Sequence, residues 1–152
     1  MCDTVSVLKR LEIAEGADLG TGASLGDIRA AEVELAVRFP ASYVAFLERF
    51  GWACVGPNEV FGLGCGVPFH LDVLNITKWE RNEAIPSMSA HLVPILNNGA
   101  GDHYCLDTAS QKDGECPVVF WGYEARRGQS PQYVAPSFAA WLASMLDEIS
   151  AA

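Results

Sequence analysis

Two apolar runs separated by a glycine-rich turn constrain the fold of this chain more than any other feature. Residues 92–96 read Leu-Val-Pro-Ile-Leu, and residues 97–107 continue as Asn-Asn-Gly-Ala-Gly-Asp-His-Tyr-Cys-Leu-Asp. This pattern predicts a strand, a turn and a second strand, and a third apolar run at 118–121 extends them to an antiparallel meander with a turn containing Gly114. Because Pro94 lacks a backbone N–H, we expect its strand to lie at an edge or to carry a bulge.

Helical spacing marks the first third of the chain. Apolar residues recur at helical intervals over about residues 4–15, 24–37 and 40–50. The second helix opens on Ser24 to Asp27, which has the form of a capping box. The corner at Phe39-Pro40 separates it from the third helix, which should end at Gly51. We interpret residues 16–22 as a loop.

The last helix has the clearest apolar stripe. It begins at Ser137, and its buried side should consist of Phe138, Trp141, Leu142, Met145, Leu146 and Ile149. We expect this helix to pack on the sheet. Residues 60–61 form a short strand candidate, and residues 71–84 fit either a helix or an irregular crossing segment. A chain of 152 residues suits a single domain.

The chain is acidic. It holds 10 Lys and Arg residues against 19 Asp and Glu residues, a formal net charge of −9. Nucleic-acid affinity depends largely on cationic groups that displace counterions, so direct binding to DNA or RNA is disfavoured. The same charge would speed encounter with a basic protein, although many proteins are acidic only for solubility.

The ends and the cysteines point to a cytoplasmic protein. The start Met1-Cys2-Asp3 lacks the basic region of a secretory signal, and no apolar run approaches the roughly 20 residues of a membrane helix. Five cysteines without a CxxC pair argue against a disulfide framework and a zinc ribbon. We therefore expect a reduced, cytoplasmic protein without a membrane partner.

The strand after the glycine-rich turn suggests a metal site. His103, Cys105 and Asp107 would share one face, because side chains alternate along a strand. Two-residue spacing on one strand, however, rarely closes a tetrahedral site. The alternative is a strand whose partly exposed face is polar, while Tyr104 and Leu106 enter the core.

Cysteine chemistry and nucleotide binding have weaker support. Cys105 beside His103, or Cys65 ahead of His70, could form a thiolate–imidazole pair, but a buried cysteine usually acts as a small hydrophobe. Residues 62–67 read Gly-Leu-Gly-Cys-Gly-Val, which fails the dinucleotide pattern at its sixth position.

Paired acids and exposed aromatics are two further candidate sites. Asp102 and Asp107 would lie on opposite faces, some 17 Å apart along the strand, which is too far for a glycosidase pair. The simpler interpretation is that Asp102 satisfies turn amides and Asp107 ends the strand. Trp121 and Trp141 fit the core, so Trp52 is the best exposed stacking candidate.

Several short pieces stand in a characteristic order. They are the helix from Leu25 with Ile28 and Glu32, the Phe39-Pro40 corner, Tyr43 with Phe46-Leu47, Phe50-Gly51-Trp52, Val60-Phe61-Gly62, Val93-Pro94-Ile95, Gly99 to Asp107, Val118-Val119 and Ser137-Phe138. Together, over roughly residues 25–146, they resemble the SUKH superfamily, which includes cell-wall-assembly regulators and many bacterial immunity proteins. Phe39 and the asparagine-free Phe50-Gly51-Trp52 turn depart from the usual pattern.

The resemblance implies both a fold and an activity. The fold would be α+β, with N-terminal helices and a C-terminal helix packed on a twisted, mainly antiparallel sheet. The activity would be binding and neutralisation of a cognate toxin domain, often a nuclease, without catalysis and without a cofactor or metal. An acidic inhibitor suits this role, because a surface that attracts phosphates is usually basic.

Under this hypothesis we expect contact residues around the meander and in a neighbouring loop. They are Asp102, Asp107, Asp113, Glu115, Trp52 and Glu59. Two alternatives stay open: an intracellular scaffold or small-ligand module with a cavity between helices and sheet, and a hydrolase around His103 and Asp107. The sequence predicts neither the toxin nor the oligomeric state.

Overall fold

The computed structural model describes residues 3–151, which form six α-helices and two antiparallel sheets. The helices are Thr4–Glu12 (α1), Leu25–Leu35 (α2), Ala41–Arg49 (α3), Val73–Asn82 (α4), Tyr123–Arg126 (α5) and Phe138–Ala151 (α6). The strands are Asp18–Leu19 (β1), Ala53–Val55 (β2), Asn58–Val60 (β3), Leu92–Asn97 (β4), His103–Asp107 (β5), Val118–Trp121 (β6) and Gln132–Ala135 (β7). Two 3₁₀ turns lie at Phe69–Leu71 and Thr108–Ser110. The expected α+β class is confirmed.

The larger sheet contains the three strands of the predicted meander and a fourth strand, β7, that the sequence does not predict. Its strands β4, β5, β6 and β7 follow one another in space as they do along the chain, and each neighbouring pair is antiparallel. β4 is an edge strand, and its register with β5 shifts between Pro94 and Leu96, so both expectations for Pro94 are confirmed. The smaller sheet, β1-β2-β3, is tied to β4 because the Phe61 amide donates to the Ile95 carbonyl at 2.8 Å.

Local capping sets the ends of the helices. The Ser24 hydroxyl accepts from the Asp27 amide at 3.1 Å, as the capping box predicts. The buried Glu32 carboxylate accepts from the Phe39 amide at 2.7 Å, which fixes the proline corner after α2. Gly51, at φ 82°, follows α3 in the left-handed conformation that the sequence predicts.

The sequence does not predict several short elements. β1 lies inside the expected loop at 16–22, a β2–β3 hairpin replaces the single strand expected at 60–61, and α5 and β7 follow β6. Strands of two to four residues carry too few side chains for a periodic pattern, so their partners in the fold decide them. The segment 71–84 contains α4, whose N-cap Asp72 accepts from the Leu74 amide at 3.0 Å.

The main hydrophobic core lies between the long helices and the two sheets. Its centre is aromatic: Tyr43, Phe46 and Phe138 are fully buried, with ring centroids 5.0 to 5.9 Å apart. The Tyr104 ring lies 6.0 Å from the Trp141 ring, so α6 packs on the sheet as predicted. Across residues 3–151, no helix has both the length and the apolar character required to cross a membrane.

The expectation of a polar, partly exposed face on β5 is wrong. His103 and Cys105 are both buried, because a second, smaller core covers that face of the sheet. The members of this smaller core are Met88, Leu92, Cys105, Val119, Trp121 and Ala125. β5 is therefore covered on both sides, and its residues His103 and Cys105 belong to the interior of the protein.

Candidate functional site

The six expected contact residues lie in three places. Asp107, Asp113 and Glu115 lie where β5 leads into β6, a region we call the loop end of the meander. Asp102 lies at the opposite end of β5. The remaining two, Glu59 in β3 and Trp52 just before β2, belong to the smaller sheet. The fold thus groups three of the acids in one connection and separates the others from it.

The tip of the loop end is a two-residue turn. Asp113 and Gly114 occupy its central positions at φ 54° and 79°, and Lys112 and Glu115 close it through backbone hydrogen bonds of 2.7 and 3.0 Å. An Asp-Gly pair with both residues left-handed is typical of such hairpin turns. The turn holds Asp113 at the tip, where it is exposed.

Glu115 supports the start of α3. Its carboxylate accepts hydrogen bonds from the Ser42 amide at 2.9 Å and the Ser42 hydroxyl at 2.7 Å, and the Gly114 carbonyl accepts from the Ala41 amide at 2.8 Å. These amides belong to the first turn of α3, where N–H groups lack partners within the helix and a negative charge is favourable. Because Pro40 provides no side-chain cap, the loop end caps this helix.

Asp107 ends β5, as the sequence predicts. Its carboxylate accepts from the Ala109 amide at 3.3 Å and the Ser110 hydroxyl at 3.1 Å, and His91 Nε2 lies 3.6 Å from its Oδ1. His103 lies at the other end of the strand. The structure therefore does not bring His103 and Asp107 together as a hydrolase would require.

Asp102 joins the glycine-rich turn to α5. Its Oδ1 lies 2.7 Å from Arg126 Nη1, and the same guanidinium nitrogen donates to the Gly101 carbonyl at 3.0 Å. The expected role of Asp102 in satisfying turn amides falls instead to Asn98, whose Oδ1 accepts from the Ala100 and Asp102 amides. An Asx turn of this kind starts one residue after β4, ahead of the glycines.

Trp79, and not Trp52 as the sequence predicts, is the most exposed tryptophan. Trp52 is half-buried because its indole packs closely on Gly20, where a Cβ atom would lie 2.5 Å from Trp52 Nε1. Trp79, on α4, is 55% exposed. Glu59 is exposed, and its Oε2 lies 3.0 Å from His70 Nε2.

A cavity of about 390 Å³ lies between α4, the Phe69–Leu71 turn and the β4–β5 pair. We call it the α4 cavity, and the lining residues that matter here are Phe61, Phe69, Ile76, Trp79, Glu80 and His103. Phe69 and Trp79 are exposed, whereas Phe61 and His103 are buried and Glu80 is partly exposed. The sequence gives no signal for this site, since its residues come from four separate segments.

The inner wall holds a histidine–carboxylate pair. His103 Nε2 lies 3.2 Å from Glu80 Oε2 and 3.5 Å from Asn97 Nδ2, and His103 is buried. The other ring nitrogen, Nδ1, is buried without a hydrogen-bond partner among residues 3–151. Buried polar atoms nearly always have a partner, so this nitrogen is an exception within a residue that lines the cavity.

The thiols are poorly suited to nucleophilic chemistry. Burial raises the pKa of Cys105 well above the usual range, and Glu80 and Asp107 raise it further. Burial also raises the pKa of Cys116, to about 12. The four cysteines of the described chain are free thiols, and Cys2 lies outside the described residues. Within residues 3–151, no three ligating side chains converge on a possible metal position.

A family model matches the sequence over nearly its whole length. The family model described as SMI1-KNR4 cell-wall (SUKH_5) matches residues 2–147. The chain therefore belongs to the SMI1-KNR4 family of the SUKH superfamily, which confirms the resemblance seen in the sequence.

A solved structure shares the architecture. The crystal structure of a protein from Pseudomonas syringae pv. tomato matches with a TM-score of 0.64, covering 94% of this chain and 98% of that chain. The two sequences are 18% identical, so this likeness establishes the common fold alone.

Proposed function

We propose that this protein is an immunity-type protein that binds a cognate bacterial toxin domain and neutralises it by occlusion, without catalysis of its own. The family match over residues 2–147 carries the proposal, because the superfamily includes many immunity proteins. The net charge of −9 supports a basic partner such as a nuclease domain. The same charge argues against direct nucleic-acid binding.

The proposed contacts differ in how available they are. Asp113 and Glu59 are exposed, so they can meet a basic surface directly. Asp102, Asp107 and Glu115 already have internal partners, so they contribute mainly to the negative potential. The half-buried Trp52 completes the proposed set. We place this activity in the cytoplasm, where the free thiols would stay reduced.

Co-purification with the toxin domain encoded beside this chain tests the proposal. We expect a complex at micromolar concentration and protection of cells that express the toxin. Asp113→Asn and Glu59→Gln should weaken the complex, whereas Glu148→Gln, on an exposed position of α6, serves as the control. The absence of both a complex and protection would refute the immunity function.

A small-ligand module of the same fold is the second candidate. The α4 cavity favours it, because a concave, largely apolar space with a few polar groups is typical of ligand sites. A thermal-shift screen separates the two candidates, since a ligand at 100 times its dissociation constant adds about 2.7 kcal/mol to the free energy of unfolding.

A further inference from the structure

The α4 cavity presents two large aromatic rings to solvent. Phe69 is 80% exposed and Trp79 is 55% exposed, although burying such rings stabilises a protein. Both rings border the same concave space of about 390 Å³. Exposed apolar surface that is contiguous, unlike single scattered residues, marks a place of interaction.

The wall of the cavity holds an accessible carboxylate. Glu80 Oε2 lies 3.2 Å from His103 Nε2, and the same nitrogen lies 3.5 Å from Asn97 Nδ2. The Glu80 side chain is 16% exposed, so an occupant with N–H groups can donate to it. Hydrogen bonds between a charged donor and a carboxylate are stronger than those between neutral groups.

The charges around the cavity select a cation. Glu80 belongs to the wall, and Glu59 lies 3.0 Å from His70 at the cavity edge. The residues that line the space, all within the described chain, include neither lysine nor arginine. An anionic group would meet these carboxylates and the net charge of −9, whereas a basic group would be attracted by both.

We propose that the α4 cavity binds an arginine side chain of a basic partner protein. The planar guanidinium can stack on the Trp79 ring and donate to the Glu80 carboxylate. A lysine ammonium is compact and strongly hydrated, so it gains less from an aromatic rim. The inference rests on the proposed function for the nature of the partner, a basic toxin domain. It adds that the partner inserts an arginine side chain into the cavity.

An NMR titration of the full chain tests the cavity directly. The probe is a capped Gly-Arg-Gly peptide, compared with the matching lysine and citrulline peptides and with free arginine. We expect saturable shifts of the Trp79 indole N–H, with the arginine peptide binding about tenfold more tightly than the citrulline peptide. Equal affinities for the three peptides would overturn the inference. Tighter binding of free arginine than of the peptide would overturn it in favour of a small-ligand site.

Two variants and one control locate the binding. Trp79→Leu and Glu80→Gln should each weaken the arginine peptide about tenfold. Glu83→Gln removes an exposed carboxylate just beyond α4 that does not line the cavity, so it should leave affinity unchanged. Trp79→Leu changes an exposed residue, and it stays informative if Glu80→Gln disturbs His103. If all three variants bound the arginine peptide as tightly as the unsubstituted protein does, the assignment of the binding site to the α4 cavity would be overturned.

The same variants separate this inference from the immunity function. A toxin complex weakened by Trp79→Leu and Glu80→Gln, but not by Glu83→Gln, supports both. A toxin complex that is insensitive to all three overturns the arginine site and leaves the immunity function standing. If the protein binds the arginine peptide but forms no complex with the toxin, the arginine site is supported and the immunity function is refuted.

Discussion

The side chains at the loop end of the meander have hydrogen-bond partners within the protein, whereas side chains at the α4 cavity have, within the described chain, an unpaired nitrogen and exposed aromatic surface. At the loop end, Glu115 and Asp107 each accept two hydrogen bonds from neighbouring backbone or hydroxyl groups. At the cavity, His103 keeps a buried nitrogen without a partner in residues 3–151, and Trp79 keeps half of its surface in solvent. The acids that the sequence makes conspicuous therefore hold the fold together.

This difference between the two regions indicates which of them is better suited to bind a partner. A satisfied polar group stabilises the folded state and has little left to offer a partner. Aromatic surface that is left exposed around a cavity is removed from water only when something binds. The cavity is accordingly the better candidate for recognition, and the loop end supplies charge and rigidity. This contrast predicts different responses to substitution and labelling in the two regions.

The largest expected difference is in thiol reactivity. Cys65 is exposed, whereas Cys105 and Cys116 are buried and burial raises the pKa of both thiols. We expect iodoacetamide at neutral pH to modify Cys65 about 10³-fold faster than either buried thiol, because their modification requires opening of the structure. Peptide mass spectrometry measures the three rates in one sample.

The two buried thiols should also differ from each other in their rates of modification. Cys105 lies in the smaller core on the His103 face of β5, and Cys116 lies in the main core. If the cavity side opens separately, Cys105 should react before Cys116. Modification of Cys105 as fast as Cys65 would contradict the burial of the whole strand.

A pair of tryptophan substitutions gives the next largest effect. Trp141→Ala should lower the free energy of unfolding by about 3–5 kcal/mol, since it empties a core position. Trp79→Ala should lower it by less than about 1 kcal/mol, because the ring is 55% exposed at the cavity rim. Urea unfolding of both variants measures the difference. Equal losses would mean that Trp79 is a structural residue.

Local patterns predict the frame of the fold. The Ser24 cap, the left-handed Gly51 and the edge position of Pro94 follow from the chemistry of single residues and their neighbours. These signals need no knowledge of distant segments. For that reason the first three strands of the meander, the first three helices and the last helix could be placed from sequence alone.

The candidate site could not be predicted because it depends on distant contacts. The His103–Glu80 pair joins β5 to α4, and nothing in either segment signals the other. The same limit explains why Trp52 is half-buried although the sequence predicts that it is exposed. Trp52 follows a helix cap, but Gly20, which is distant in sequence, packs closely against its indole. Alternation along β5 predicted a polar face, yet the smaller core buries it.

Glu115 should have an intermediate effect. Glu115→Ala removes the acceptor for the amide and hydroxyl of Ser42, which is buried, so we expect a loss of about 2 kcal/mol in the free energy of unfolding. Glu48→Ala, at an exposed position on the same helix, is the matched control and should change stability by less than about 0.5 kcal/mol. A loss no greater than that of the control would mean that the loop end does not cap α3.

The smallest effect should come from the ion pair at the turn between β4 and β5. Asp102 and Arg126 are both partly exposed, so Asp102→Asn should cost less than about 1 kcal/mol, and the loss should shrink in about 1 M salt. Arg126→Gln leaves the carboxylate free, and if Asp102 meets a basic partner this variant should bind that partner more tightly. Urea unfolding at two salt concentrations and a binding titration measure the two effects. Weaker binding by Arg126→Gln would show instead that the ion pair acts by holding α5 against the turn. The α4 cavity would then be the remaining candidate for partner binding at this end of β5.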